Sequence, residues 1–335
     1  MIREHSGINL LRVLSAFLVV FIHVSPEAFG VMSDDWFGIN VMASISRVSV
    51  PLFFMISGYF ALNTTTDINI NKFLYKKTTR LLPPLVVWSV IYVIYNKTII
   101  DTSTLWGMLT ITPAHYHLWF FYTLIPMIFI SPMLSKSIKN SNTNQLIYLT
   151  LIWLLFSLFP SLIQALQYFI NGEDPILKVG KAQLFIAMLG YFLLGGFLKE
   201  LRITINTKAL FIIFILSTLA TIISTCIISK IIKSPSQAFF VYYSPFIASG
   251  AFSLFVIFDR INIKNNRISK FISHISKLTL GVYLIHPILI DYFKINILES
   301  RSVYSLLIMT IIIFVASSVI IFLISKVPLI KKTVL

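Results

Sequence analysis

The chain has 335 residues, of which 57% are hydrophobic and 12% charged, and its mean hydropathy is +0.88. Soluble globular domains carry about twice that charged fraction, so the composition excludes a soluble enzyme and identifies a polytopic membrane protein. The net charge of +15 does not indicate nucleic acid, because no RNA- or DNA-binding motif accompanies it and cytoplasmic loops of membrane proteins collect Lys and Arg.

Apolar runs bounded by polar clusters predict about ten membrane-spanning helices, near residues 8–24, 39–61, 82–96, 118–134, 145–160, 182–199, 208–229, 238–258, 279–294 and 303–325. The expected fold class is therefore all-α, with residues 1–335 forming one integral-membrane domain and no fused soluble domain. The first run is interrupted by Arg12 and no small-x-small cleavage site follows it, so it reads as a permanent helix and not a signal peptide.

Eleven helical steps of about 100° separate Arg12 from His23, placing both on nearly one face, roughly 16 Å apart along the axis. Ionisable side chains inside a bilayer normally face protein or a water-filled cavity. Snorkelling to the interface would also suit Arg12, and helix packing would also suit His23. Their shared face favours a functional reading, and a buried imidazole is a natural general base for a hydroxyl.

The second run carries Arg47, about eight residues or 12 Å deep if the span begins near residue 39. His23 approaches a similar depth from the other side. Pro51 frees a backbone carbonyl inside the membrane, and Ser57-Gly58 permits close helix approach. A guanidinium at that depth can hold an anion or stabilise developing negative charge. A structural ion pair is the alternative, but the first eight predicted spans contain no acid to form one.

Lys72, Lys76, Lys77 and Arg80 precede the third run. They suit ordinary cytoplasmic positive charge beside anionic lipid and equally a patch that attracts phosphate. His115 and His117 precede the fourth run, where no carboxylate or third ligand has a spacing suited to a metal; no metal is expected. Cys226, the one cysteine, lies in the seventh run, excludes an internal disulfide and reads as a small packing residue.

With the N-terminus in the cytoplasm, inside segments hold 18 Lys and Arg and outside segments seven, with Arg12 and Arg47 in the membrane. Most acids fall outside. Both termini are therefore expected in the cytoplasm, with 97–117 and 161–181 outside.

The Arg12-x10-His23 spacing, followed by RVSVPLFFMISGY from Arg47 to Tyr59, resembles the integral-membrane acyltransferase 3 family. Three later stretches are similar to it as well: Phe73-x2-Lys76-Lys77-x2-Arg80-x2-Pro83, His117-Leu-Trp119-Phe120-Phe121, and Gly281-Val-Tyr283-Leu-Ile-His286-Pro287. Residues 140–275 offer little to match. RVSVPLFFMISGY and HLWFFY look most similar to the branch containing the enterobacterial common antigen O-acetyltransferase.

The resemblance implies a ten-helix enzyme of the bacterial cytoplasmic (inner) membrane. Its donor would be cytoplasmic acyl-CoA, acetyl-CoA foremost, as a substrate and not a permanently bound cofactor. Its acceptor would be a hydroxyl of a lipid-linked or envelope saccharide. By the same resemblance His23 is the catalytic base, and Arg12 and Arg47 are essential cations. Lys76, Lys77, Arg80 and Ser57 fall on the donor side, while His117, Trp119, Tyr283 and His286 are acceptor-side candidates. Packing at a helix break suits His286 equally. Arginine is common in the family where this chain has Lys76 and Lys77; lysine keeps the charge but loses the planar fork that grips phosphate in two places. Membrane lipid and polysaccharide-assembly proteins are the implied partners, without nucleic acid.

No GxSxG elbow, P-loop, HExxH or dinucleotide fingerprint is present, which leaves direct transfer or a covalent acyl-histidine. The competing reading is a transporter that passes polysaccharide or small anions by intramembrane cations. The lack of an inverted repeat, and of acids in the first eight spans, counts against a proton-coupled carrier.

Overall fold

The computed structural model describes residues 5–63, 69–97, 112–159, 163, 181–198, 200–201, 203–297, 302–328 and 330–334; among these there is helix and no strand. The helices are α1 (Ser6–Val24), α2 (Pro26–Phe29), α3 (Trp36–Ser46), α4 (Ser49–Leu62), α5 (Ile70–Tyr95), α6 (Trp119–Asn140), α7 (Thr143–Trp153), α8 (Lys181–Phe197), α9 (Thr207–Ile232), α10 (Pro245–Asp259), α11 (Asn266–Ile297) and α12 (Val303–Ile324). Short 3-10 turns cover Tyr116–Leu118 and Lys331–Thr333, and a π turn continues α7 over Leu154–Leu158.

Asparagine starts four of these helices; at α11 the side chain of Asn265 accepts from the Arg267 and Ile268 amides at 2.9 and 3.2 Å. The side chain of Asn69 accepts from the Lys72 amide at 3.0 Å, that of Asn142 from the Gln145 amide at 2.9 Å, and that of Asn206 from the Ala209 amide at 2.7 Å. Each satisfies an amide that the first helical turn leaves without a partner.

α1 is the hub and packs against α3, α4, α10, α11 and α12. In lipid, helices associate through close packing and interhelical hydrogen bonds, because the surroundings are as apolar as the side chains. Both devices are present. A Cβ on Gly58 would run into the carbonyl of Phe192, and one on Gly195 into the carbonyl of Met55, so α4 and α8 lie backbone against backbone. Gly7 does the same for α1 against the Phe258 carbonyl of α10. Hydrogen bonds tie further pairs: Ser135 Oγ to the Leu62 carbonyl at 2.7 Å, Asn40 Nδ2 to the Ile222 carbonyl at 3.2 Å, and Tyr92 Oη to the Leu284 carbonyl at 2.7 Å.

The outside of the bundle is oily. Phe211, Ile212, Leu216, Ile223 and Ile227 on α9, and Ile308, Ile311, Val315 and Leu323 on α12, are exposed. Apolar surface on this scale requires lipid. Among the described residues, six helical segments are long and apolar enough to cross a membrane: Ser6–Val24, Trp36–Leu62, Ile70–Tyr95, Tyr116–Asn140, Thr207–Ile232 and Val303–Ile324. Thr143–Ser157, Gln183–Phe197 and Pro245–Asp259 are shorter apolar helices.

Four boundaries differ from those read in the sequence, one being the ninth run, 279–294, which lies inside the longer α11, Asn266–Ile297. The run 39–61 is two helices, broken at Arg47 and Val48. Pro51 has no N–H to give the Arg47 carbonyl, and its ring crowds that carbonyl, so the turn opens there and α4 restarts with Pro51 in its first turn. The basic residues before the third run belong to α5 itself, which begins at Ile70 and absorbs Pro83 and Pro84. The eighth run is helical only from Pro245, which sits at the first position of α10, where its missing N–H costs nothing. The segments 98–111 and 164–180, expected outside, lie beyond the described residues.

Candidate functional site

The break before α4 sets Arg47. Its guanidinium lies over the Phe240 ring, 4.4 Å from the centroid, and hydrogen-bonds the Tyr242 hydroxyl. Its Nε is buried with no partner among the described residues. On the facing helix, His23 occupies the last turn of α1, close enough for the Arg47 charge to act on it. His23, Arg47, Tyr242 and Tyr283 are each ringed by protein yet keep some accessible surface, so they line an internal space.

Around His23 stand three more histidines. Its ring centroid is 5.1 Å from that of His286 on α11 and 5.0 Å from that of Tyr116. His286 is in turn 5.5 Å from His117, whose Nδ1 is 2.8 Å from Nδ1 of His115. His115 stacks on Tyr92 at 4.2 Å. Burial lowers the pKa of His115 below its usual value, opposed by the charge of Asp291. Despite the crowding of imidazoles, no group of three among the described residues has the arrangement to hold a metal ion.

Pro287 sets the state of His286. A helical residue at 287 would normally bond the carbonyl of Tyr283; proline has no N–H to offer. That freed carbonyl is 2.7 Å from Nδ1 of His286, with the Val282 carbonyl at 3.3 Å. Carbonyls only accept, so Nδ1 carries the proton and Nε2 presents its lone pair. This Nε2 is buried without a partner among the described residues, as is Nε2 of His117. The Tyr283 hydroxyl donates to the carbonyl of His117 and so locks the 3-10 turn onto α11.

The other end of α1 is basic. Arg12 lies over Phe60, 5.0 Å from its centroid, and feels the charge of Arg80. Arg80 and Lys76 are exposed, and Lys77 lies 5.5 Å over the Phe73 ring. Ion pairing does not neutralise these residues: among the described residues, the salt bridge is Lys294 to Glu27, at 2.6 Å.

Of the residues singled out in the sequence, the structure gathers His23, Arg47, His117, Tyr283 and His286 at one end of α1, and Arg12 with Arg80 at the other. Trp119 packs beside the first group, its ring 6.2 Å from Tyr242. Ser57 spends its hydroxyl on the Phe53 carbonyl of its own helix at 2.8 Å. Tyr242, Tyr116 and Phe240 were not foreseen. Tyr242 lies in a non-helical stretch before Ser244-Pro245; an aromatic pair ahead of a helix-starting proline was the only signal for it.

The family model described as an acyltransferase domain, Acyl_transf_3, matches residues 5–326. The chain belongs to the acyltransferase 3 family. Its long apolar helices are those of a membrane protein. It is similar to a serine/alanine racemase of Enterococcus gallinarum, 33% identical over 138 residues, which cover 36% of this chain and 18% of the relative. It is also similar to an amino-acid racemase of Enterococcus faecalis, 30% identical over 144 residues, 40% of this chain and 20% of the relative. The chain thus spans about a fifth of the length of these curated relatives. No solved structure matches it.

Proposed function

We propose that this acyltransferase moves an acyl group, acetyl foremost, from cytoplasmic acyl-CoA to a hydroxyl of a lipid-linked or envelope saccharide. In this reading it crosses the bacterial inner membrane about ten times, with both termini in the cytoplasm. Its branch is that of the enterobacterial common antigen O-acetyltransferase. One observation carries the proposal: α1 holds a cation at its basic end and an imidazole eleven residues on, beside a second cation, Arg47, and neither cation has a carboxylate partner among the described residues. Arg12 with Arg80, Lys76 and Lys77 attracts the donor phosphates. His23 takes the proton of the acceptor hydroxyl, whose oxygen bonds to the acyl carbon. Arg47 stabilises the resulting oxyanion where little water can do so. The carbon–sulfur bond then breaks, and the thiolate leaves as the free thiol after taking a proton.

The test compares envelope glycans, by mass, from cells with and without the gene. Loss of acetyl-sized increments, restored by the wild-type gene but not by His23→Gln, supports the reading. Identical glycans in both strains overturn it. Orientation is tested separately with single cysteines at Asp34 and Lys264 in a Cys226→Ala background: outside-only labelling at Asp34 is expected, and cytoplasmic labelling there reverses the topology.

A further inference from the structure

The buried face of His286 defines the acceptor more narrowly than "a hydroxyl", an inference that rests on the acyl-transfer reading above. The rings of His286 and His117 are sealed from solvent, at 0% and 1% exposure. Nδ1 of His286 points back to carbonyls of its own helix, so Nε2 points away from α11, into the space where His23 and His117 lie. On His117, Nδ1 lies 2.8 Å from Nδ1 of His115. Nε2 of His286 is thus a buried acceptor that meets no donor among the described residues. Leaving such a group unmatched is costly, and only a ligand that brings a hydrogen-bond donor can match it.

The geometry points to an acceptor with contiguous hydroxyls, a vicinal diol at the least. One hydroxyl gives its proton to His23, and the next donates a hydrogen bond to Nε2 of His286. Acceptors with a lone hydroxyl would leave that buried lone pair unmet. Tyr116, 53% exposed and against His23, offers a flat face for the sugar ring.

The test uses the full chain in proteoliposomes with radiolabelled acetyl-CoA and three acceptors: trans-1,2-cyclohexanediol, cyclohexanol and an envelope glycan fraction from cells lacking the gene. The diol is expected to be acetylated about tenfold or more better than cyclohexanol, since a site built for a hydroxyl rejects analogues lacking it. In His286→Phe, which keeps a ring but has no nitrogen, that preference should fall towards one, through KM for the diol. A purely structural role would lower transfer to both probes alike and leave their ratio unchanged, which would overturn the assignment. Equal transfer to both probes by the wild type also overturns it, without reliance on any variant. Transfer to the glycan fraction but to neither probe refutes the two-hydroxyl rule while leaving acyl transfer intact. No transfer to any acceptor refutes the acyl-transfer reading itself.

Discussion

The two ends of α1 are built by opposite means. At the Arg12 end the cations sit on a helix surface, with Arg80 and Lys76 exposed, and among the described residues none pairs with a carboxylate. At the His23 end each imidazole is held by a neighbour: a carbonyl freed by proline, another imidazole, or an aromatic ring. Charge acts over a Debye length of about 10 Å and tolerates imprecise placement, so a mobile basic surface suffices to collect a polyanion. Proton abstraction demands hydrogen-bond reach of about 3 Å, so the reacting end must be rigid. The difference teaches that damage at the two ends should have different kinetic signatures.

The largest effect is expected at the rigid end. His23→Gln keeps shape and polarity but cannot accept the proton, and should cut acylation by about 10²–10⁴ with normal protein level and membrane insertion. Near-normal acylation by the folded variant would return His23 to packing and erase the contrast. Arg47→Met comes next, with a loss of about 10²–10³ in kcat, the usual cost of losing an oxyanion stabiliser. If KM for the donor rose instead while kcat held, Arg47 would belong to the binding end.

At the basic end the signature changes. Neutralising Lys76, Lys77 and Arg80 together to Gln should raise donor KM by about tenfold and flatten its salt dependence, with kcat largely kept. Unchanged donor kinetics in the triple variant would exclude that surface from donor capture. The smallest effect is expected at Lys294→Ala. It removes the bond to Glu27, which is 78% exposed on its own side, and surface pairs contribute about 0–1 kcal/mol. Thermal denaturation in detergent should barely move, and acylation should be normal.

Much of this was legible in the sequence because a bilayer makes some residues expensive. Arg12, His23 and Arg47 stood out as ionisable groups in apolar runs, and the structure puts His23 and Arg47 together. Helix falls on most of the apolar runs, and six helical segments among the described residues are long and apolar enough to cross a membrane, because apolar length follows from the thickness to be filled. What stayed hidden depends on tertiary placement. His115 was weighed only as a metal ligand, since nothing in a linear spacing shows that its ring shares a hydrogen bond with His117. Tyr242 is an ordinary tyrosine until the Arg47 break turns a guanidinium towards it. Pro51 and Pro287 were visible as helix breakers, but not which carbonyls they would release, or to whom.

The spacing along α1 also works as a ruler. From Arg12 to His23 is eleven rises of one helix, roughly 16 Å. A donor gripped by its phosphates at one end can deliver its acyl carbon at the other only through a thin, extended arm of about that reach. A long thioester carrier meets this requirement, whereas acetyl phosphate, with its anion and its acyl group one bond apart, cannot span the gap. Selection among activated acyl compounds would then come from length before it comes from any contact to the acyl group.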